Sequence, residues 1–200
     1  MGKTRVVGWV ERSETQQSAR EGERSVTAEQ LLALGSQAPC ELIDGSIVYK
    51  TPTEGVHGIV EVNLVRRLSN FVSERKLGLL FGGEVGIVTG RSPDRIRAAD
   101  ITLISHEKMP EGPPEAFIEV APDLVVEIVS PNDRWQDVRE KLEEYFSLGV
   151  PLVWLVEPKR RAVLVFRSLT EVVDLSRQDV LLGEGILEGF EVPVRDLFPG

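Results

Sequence analysis

Three side chains in this sequence stand where their chemistry is out of keeping with their neighbours. Glu127 interrupts "DLVVEIVSP" (residues 123–131), a run otherwise apolar on both faces. Asp100 heads "DITLIS" (100–105), and Lys141 lies at the edge of an apolar stripe, one turn from Val138 and Tyr145. A buried carboxylate is costly unless it is paired, hydrogen-bonded or bound to a cation. Two carboxylates brought into one poorly solvated cleft repel each other, and a divalent cation relieves that repulsion. Oxygen donors suit Mg²⁺ or Mn²⁺, which often take only one or two protein carboxylates. A lysine beside them can orient an attacking water or stabilise developing negative charge. The set is that of metal-assisted hydrolysis at a phosphoryl group. Each residue taken alone also has a plainer reading. Glu127 and Lys141 suit a structural ion pair, and Asp100 suits a turn cap. Only Glu127, in mid-strand, demands a partner.

The elements that must position these residues follow from hydrophobic periodicity. Residues 1–24 are polar, charged and aperiodic, and read as a flexible tail. Ser25 or Thr27 caps a short helix with Leu31, Leu32 and Leu34 turned inward. "CELIDGSIVYK" (40–50) reads as a hairpin turning at Asp44-Gly45. Spacings of three and four from Val56 to Lys76 predict a long helix, stopped at Gly78. Residues 77–90 read as one or two strands broken at Gly82-Gly83, followed by a strand over 96–105 and a proline-rich loop over 110–117. The strand carrying Glu127 is apolar on both faces, which predicts a central place. Asn132 or Asp133 caps the next helix, which runs to Gly149, and "VPLVWLVEP" (150–158) is another buried strand. Strand, helix and strand over 123–156 form a parallel crossover. The whole is a mixed-sheet α/β fold flanked by helices, in one domain over residues 25–200.

Composition narrows the partners. The net charge of −9 weakens any case for broad, nonspecific nucleic-acid binding. It leaves room for local basic patches such as "RSPDRIR" (91–97) and "PKRR" (158–161), each equally readable as a solvated loop. With Cys40 the lone cysteine, an internal disulfide and a cysteine zinc cage are both excluded. No run approaches membrane-spanning length and no apolar leader opens the chain, so a cytoplasmic protein is expected, with no membrane partner.

The segments "ELIDGSIVYKTPTEGVHGIVEVNLVRRLSNFV", "RAADITLIS" and "APDLVVEIVSPNDRWQDVREKLEEYFSLGVPLVWLVEP" resemble the Uma2 family of restriction-type endonucleases, within the PD-(D/E)XK nuclease superfamily. The resemblance runs in order over roughly residues 26–196. It implies a restriction-endonuclease-like mixed sheet with an N-terminal β-hairpin, acting on DNA with Mg²⁺ or Mn²⁺. It implies Asp100 and Glu127 as metal ligands, helped by the Ile128 backbone carbonyl, with Lys141 as the water-positioning or charge-stabilising group. Glu41 would be a further acid of the site, and His57, Glu84 and Arg97 accessory candidates, Arg97 toward phosphate. Two positions depart from the pattern. Ala99 stands where a proline usually precedes the first aspartate, and Val129 stands where the superfamily lysine normally lies. The lysine function therefore has to come from Lys141 on the next helix. A homodimer is implied by the way restriction-type enzymes cut two strands. The alternative function is a nuclease fold that binds or regulates without cutting. A purely structural acid–lysine network is a third.

Overall fold

The computed structural model describes residues 25–35, 39–131 and 133–199. The expected tail over residues 1–24 and the cap at Asn132 lie outside them. In chain order the elements are α1 (Ala28–Leu34), β1 (Cys40–Ile43), β2 (Ser46–Tyr49), α2 (Gly55–Arg75), β3 (Gly78–Gly90), β4 (Arg95–Ser105) and β5 (Leu124–Ile128). They continue with α3 (Trp135–Leu148), β6 (Val153–Glu157), β7 (Ala162–Phe166), β8 (Val172–Leu175), β9 (Val180–Leu182) and β10 (Glu191–Pro193).

Eight strands form one sheet in the order β2-β1-β4-β5-β6-β7-β8, with β3 also paired to β4. The β5–β6 pair is parallel and is bridged by α3, as the sequence predicts, while the other pairs are antiparallel. Strand parity sorts the core. Leu124, Val126 and Ile128 of β5 pack with α2 and the C-terminal segment, whereas Val125 packs with α3. Val60, Leu64, Leu68 and Val72 make the buried stripe of α2, each burial worth about 1.5–3 kcal/mol.

The pairing of β4 creates the feature that matters for the site. Ile96 pairs with Val88 on one side and Leu42 on the other, and Ile101 pairs with Gly82 on one side and Val126 on the other. β3 therefore covers one edge of β4, while β1 and β5 share the opposite edge and part company between Ile96 and Ile101. Residues 97–100 lie in that fork.

Several local expectations are corrected. Leu32 and Leu34 are exposed, and α1 buries only Ala28 and Leu31. Thr27 does form a capping box with Gln30. α2 ends at Lys76 in the left-handed conformation, and Gly78 opens β3 instead of stopping the helix. β3 is continuous through Gly82-Gly83, because a bulge absorbs the break between Gly82 and Val85. α3 starts two residues later than expected, with Arg134 at the cap position and no side-chain cap bond. Asp133 instead accepts from the Ser130 N–H at 2.8 Å, closing the turn before the helix. No helix among the described residues is long and apolar enough to cross a membrane.

Candidate active site

The fork between β1 and β5 collects the acids. Asp100 and Glu127 each lie one residue beyond Ile101 and Val126, the last pair that β4 and β5 form with each other. Asp100 Oδ2 accepts from the Ile128 N–H at 2.6 Å, tying the aspartate to the strand that bears Glu127. Glu41 enters from β1 and is 0% exposed. Together with Glu84, Ile128 and Lys141 they line a cavity of about 140 Å³.

Helix α3 supplies the lysine. Its buried stripe of Val138, Leu142 and Tyr145 faces the sheet, which brings Lys141 and Tyr145, four residues apart, over Glu127. Lys141 Nζ lies 2.7 Å from Glu127 Oε2, 3.1 Å from Glu41 Oε1 and 3.0 Å from the Ala98 carbonyl. Two of its three N–H donors thus go to β5 and β4, and the charge is ion-paired with Glu41 on β1. Tyr145 donates to the other oxygen, Glu127 Oε1, at 2.5 Å. The reach from the neighbouring helix is thus complete. Val129, at the usual lysine position, packs against the core on the α3 side.

Helix α2 supplies His57. It continues the stripe of Val60, Leu64, Leu68 and Val72 by one turn, which buries it against the sheet. His57 Nε2 lies 3.2 Å from Asp100 Oδ1, and its Nδ1 has no partner. Glu84 comes from the bulge in β3. Gly82 pairs with Ile101 and Val85 with Ala99, so Gly83 and Glu84 together face Asp100. Both take positive φ values, 81° and 62°. Bulges re-aim side chains in this way, and here the result is a further acid on the cavity wall, beside Asp100, Glu127 and Glu41.

The electrostatics follow from this crowding. Burial pushes Glu127 up to about 7, against the pull of Lys141 and with help from the Asp100 charge. Burial and Asp100 also raise Glu84. Burial opposes the charge on His57, yet Asp100, Glu61 and Glu84 hold its pKa above the ordinary value. Lys141 is likewise resisted by burial but raised on balance by Glu127 and Glu41, and stays an ammonium. Glu41 behaves in the opposite sense to Glu127. Burial resists its charge, but Lys141, Lys50 and Arg97 hold it down at about 2.

Arg97 is not available to a phosphate, contrary to one expectation from the sequence, and it is not an exposed arginine either. It is 3% exposed, with Nε and Nη2 on Glu144 at 2.9 and 2.5 Å and Nη1 on Glu41 at 3.1 Å. Tyr145 and Glu144 are the residues of this region that sequence reasoning did not single out for a role. Their positions four and three residues after Lys141, on the same helix face, were the available signal.

The residues fit a hard divalent cation. The donors are carboxylate oxygens on adjacent strands, burial and then the Asp100 charge oppose ionisation of Glu127, and a carboxylate can accept at about four lone-pair sites. No three His, Cys, Asp or Glu side chains among the described residues converge into a ready cage. Mg²⁺ usually has no such cage and keeps several waters beside one or two carboxylates.

Fold and site together define a restriction-endonuclease-like α/β domain with a carboxylate–lysine centre in a forked sheet. The chain belongs to the Uma2 family, described as "Putative restriction endonuclease", whose profile matches residues 28–195. A solved structure, that of "a putative nuclease belonging to DUF820" from Anabaena variabilis ATCC 29413, superposes with a TM-score of 0.75. It is 22% identical, over 86% of this chain and 97% of that one, which establishes the shared fold. No curated protein matches the chain.

Proposed function

We propose that the protein is a metal-dependent endonuclease that hydrolyses phosphodiester bonds in DNA. The observation that carries this reading is the convergence of Asp100, Glu127 and Lys141 on one cavity from β4, β5 and α3. Asp100 and Glu127 would hold Mg²⁺ or Mn²⁺, with the Ile128 carbonyl as an additional oxygen donor. Such an ion, when bound, neutralises phosphoryl oxygens and lowers the pKa of water. Lys141 fixes the Glu127 carboxylate from one side and Tyr145 fixes it from the other. The Lys141 ammonium also sets a positive charge beside the position of the reacting phosphate, where negative charge grows. Glu41, closed in by Lys141, Lys50 and Arg97, serves to hold Lys141 in place and charged. His57 steadies Asp100, and Glu84 adds a further acid opposite it.

A second reading, a nuclease fold that binds nucleic acid without cutting, draws on one observation. The Lys141 ammonium is already engaged by protein groups, donating to Glu127 and the Ala98 carbonyl and ion-paired with Glu41.

The test is a cleavage screen over plasmid, linear, single-stranded and branched DNA with Mg²⁺ or Mn²⁺. Wild type is to be compared with Asp100→Ala, Glu127→Ala and Lys141→Ala. Cleavage by wild type and loss in each variant, with unchanged circular dichroism, is the expected result. Retention in all three variants would falsify the assignment. Calorimetric Mn²⁺ binding that needs Glu127, without cleavage of any DNA form, would select the second reading.

A further inference from the structure

The site cavity does not end at the carboxylates. His57, Glu54, Ser130 and Asp133 line it on one side and also line a neighbouring groove of about 620 Å³. The groove has apolar walls from three parts of the chain. Val56 comes from the start of α2, Val129 and Pro131 from the end of β5, and Phe198 and Pro199 from the C-terminal segment. Its rim is the β6–β7 turn, Pro158–Arg161. His57 is buried between the two spaces, with its Nδ1 unpartnered.

The rim is one of the two basic stretches of the sequence, and they differ in what remains unspent. In the other, Arg91 is paired with Asp94, Glu119 and Glu29, Arg95 with Asp44 and Glu144, and Arg97 with Glu41 and Glu144. At the groove, Arg160 is held by Glu157 and by Asp174 at 2.8 Å. Lys159 and Arg161 make no ion pair among the described residues and border the groove.

We infer that this groove takes the unpaired nucleotide next to the scissile phosphate, so that the substrate is a DNA strand without a partner at the cut. This rests on the nuclease reading and names its substrate class. The carboxylates are recessed, Asp100 at 9% and Glu127 at 12% side-chain exposure. A cavity of about 140 Å³ has room for a phosphate group and a few waters, each water taking about 30 Å³. The sugar and base that follow the phosphate must therefore continue into the adjoining groove. Its volume lies within the ~300–1,000 Å³ of small-ligand pockets, and its apolar walls suit the flat face of a base. A base still paired and stacked in a duplex cannot enter without its partner strand meeting protein. Lys159 and Arg161 stand where the next phosphate would leave the groove. Trp135, 57% exposed, opens α3 two residues after the groove residue Asp133 and offers a stacking surface for the following base. The net charge of −9 gives no broad basic face for a duplex to lie on.

The experiment is anisotropy binding of a labelled oligonucleotide to the full chain in EDTA, as a single strand and as the blunt duplex of the same sequence. The single strand is expected to bind about tenfold tighter or more, since stacking one base on an aromatic is worth that much. Lys159→Gln/Arg161→Gln should reduce the salt dependence of single-strand binding by about 1.4 in log–log slope, from two lost phosphate contacts. Trp135→Ala should weaken single-strand binding about tenfold with the slope unchanged. Lys76→Gln, at the far end of α2, should change nothing. Equal affinity for the duplex overturns the inference, as does wild-type binding by both groove variants. Because no divalent ion is present, the result is independent of cleavage. Cleavage of duplex in preference to single strand would leave the nuclease reading standing and remove this one. Single-strand binding without cleavage would remove the nuclease reading and leave the groove as a single-strand binding site.

Discussion

Glu41 and Glu127 invite comparison. Both are glutamates on sheet strands, both are little exposed, at 0% and 12%, and both are ion-paired with Lys141. Yet Glu41 is held at about 2 and Glu127 is pushed to about 7. Burial acts on both in the same direction and opposes the charge of each. The neighbours differ. Around Glu41, the cations Lys50, Arg97 and Lys141 crowd one carboxylate. Around Glu127, one lysine must serve a site that also holds Asp100 and Glu84. The first neighbourhood is electrically closed and reads as structure. The second is short of positive charge and opens on a cavity, which is the condition a divalent cation satisfies. A buried charge points to function when its compensation is incomplete.

The comparison breaks most sharply at Glu127. Glu127→Gln is expected to reduce Mg²⁺-dependent cleavage by about a thousandfold or more, the upper range for losing one electrostatic group. Lys141 keeps Glu41 and the Ala98 carbonyl, so unfolding stability in metal-free buffer should move by no more than about 1 kcal/mol. A large destabilisation measured by urea titration would mean that Glu127 belongs to the closed network after all. Arg97→Ala probes the other side. It takes two hydrogen bonds from Glu144, which keeps Arg95 and Thr89, and one cation from Glu41. Removing one partner from a buried pair costs about 3–5 kcal/mol, so the variant should melt far below wild type. A fully stable Arg97→Ala with impaired cleavage would reverse the assignment of the two neighbourhoods.

How far the sequence revealed this difference depends on the residue. Glu127 was legible because a carboxylate inside an apolar strand is a local contradiction that needs no partner to be seen. The parallel crossover of β5, α3 and β6 was legible for a similar reason, since its apolar periods are strong and its stops are clear. Arg97 was not legible. Whether an arginine is free or locked depends on Glu41 and Glu144, more than forty positions away on either side. The aim of Glu84 depends on a bulge, and a bulge is set by the pairing of β3 with β4, which local spacing does not encode. Likewise the fork that unites Glu41, Asp100 and Glu127 arises because β1 and β5 share an edge of β4. That is a fact of sheet order, visible only once long-range pairing is known.

Acid titration sharpens the comparison further. The folded pKa of Glu41, about 2, lies below its ordinary 4.5. The folded chain therefore keeps Glu41 ionised where the unfolded chain would protonate it. Its stabilising contribution is complete above about pH 4.5 and is lost as pH falls toward 2. The size is about 3 kcal/mol at 1.36 kcal/mol per pKa unit. Glu41→Gln should accordingly lose stability less steeply than wild type across that window, as read from urea titrations at stepped pH. Parallel curves would show that the three cations do not stabilise the Glu41 charge.

Tyr145→Phe tests the boundary between the two neighbourhoods with the smallest change. Its hydroxyl touches Glu127 and not Glu41. Losing one hydrogen bond to a charged acceptor costs about 1.5–3 kcal/mol of stability at most. For metal binding, a residue that orients a ligand is worth about 10–100-fold in affinity. Tyr145 shares that orientation with Lys141, so the expected loss of Mn²⁺ affinity is at the lower end, about tenfold. The same variant should leave the acid-dependent fall in stability parallel to wild type, because the cations around Glu41 are untouched. Should Tyr145→Phe instead flatten that fall and spare Mn²⁺ affinity, the hydroxyl would belong with Glu41, and the two glutamates would have to be treated as one coupled cluster.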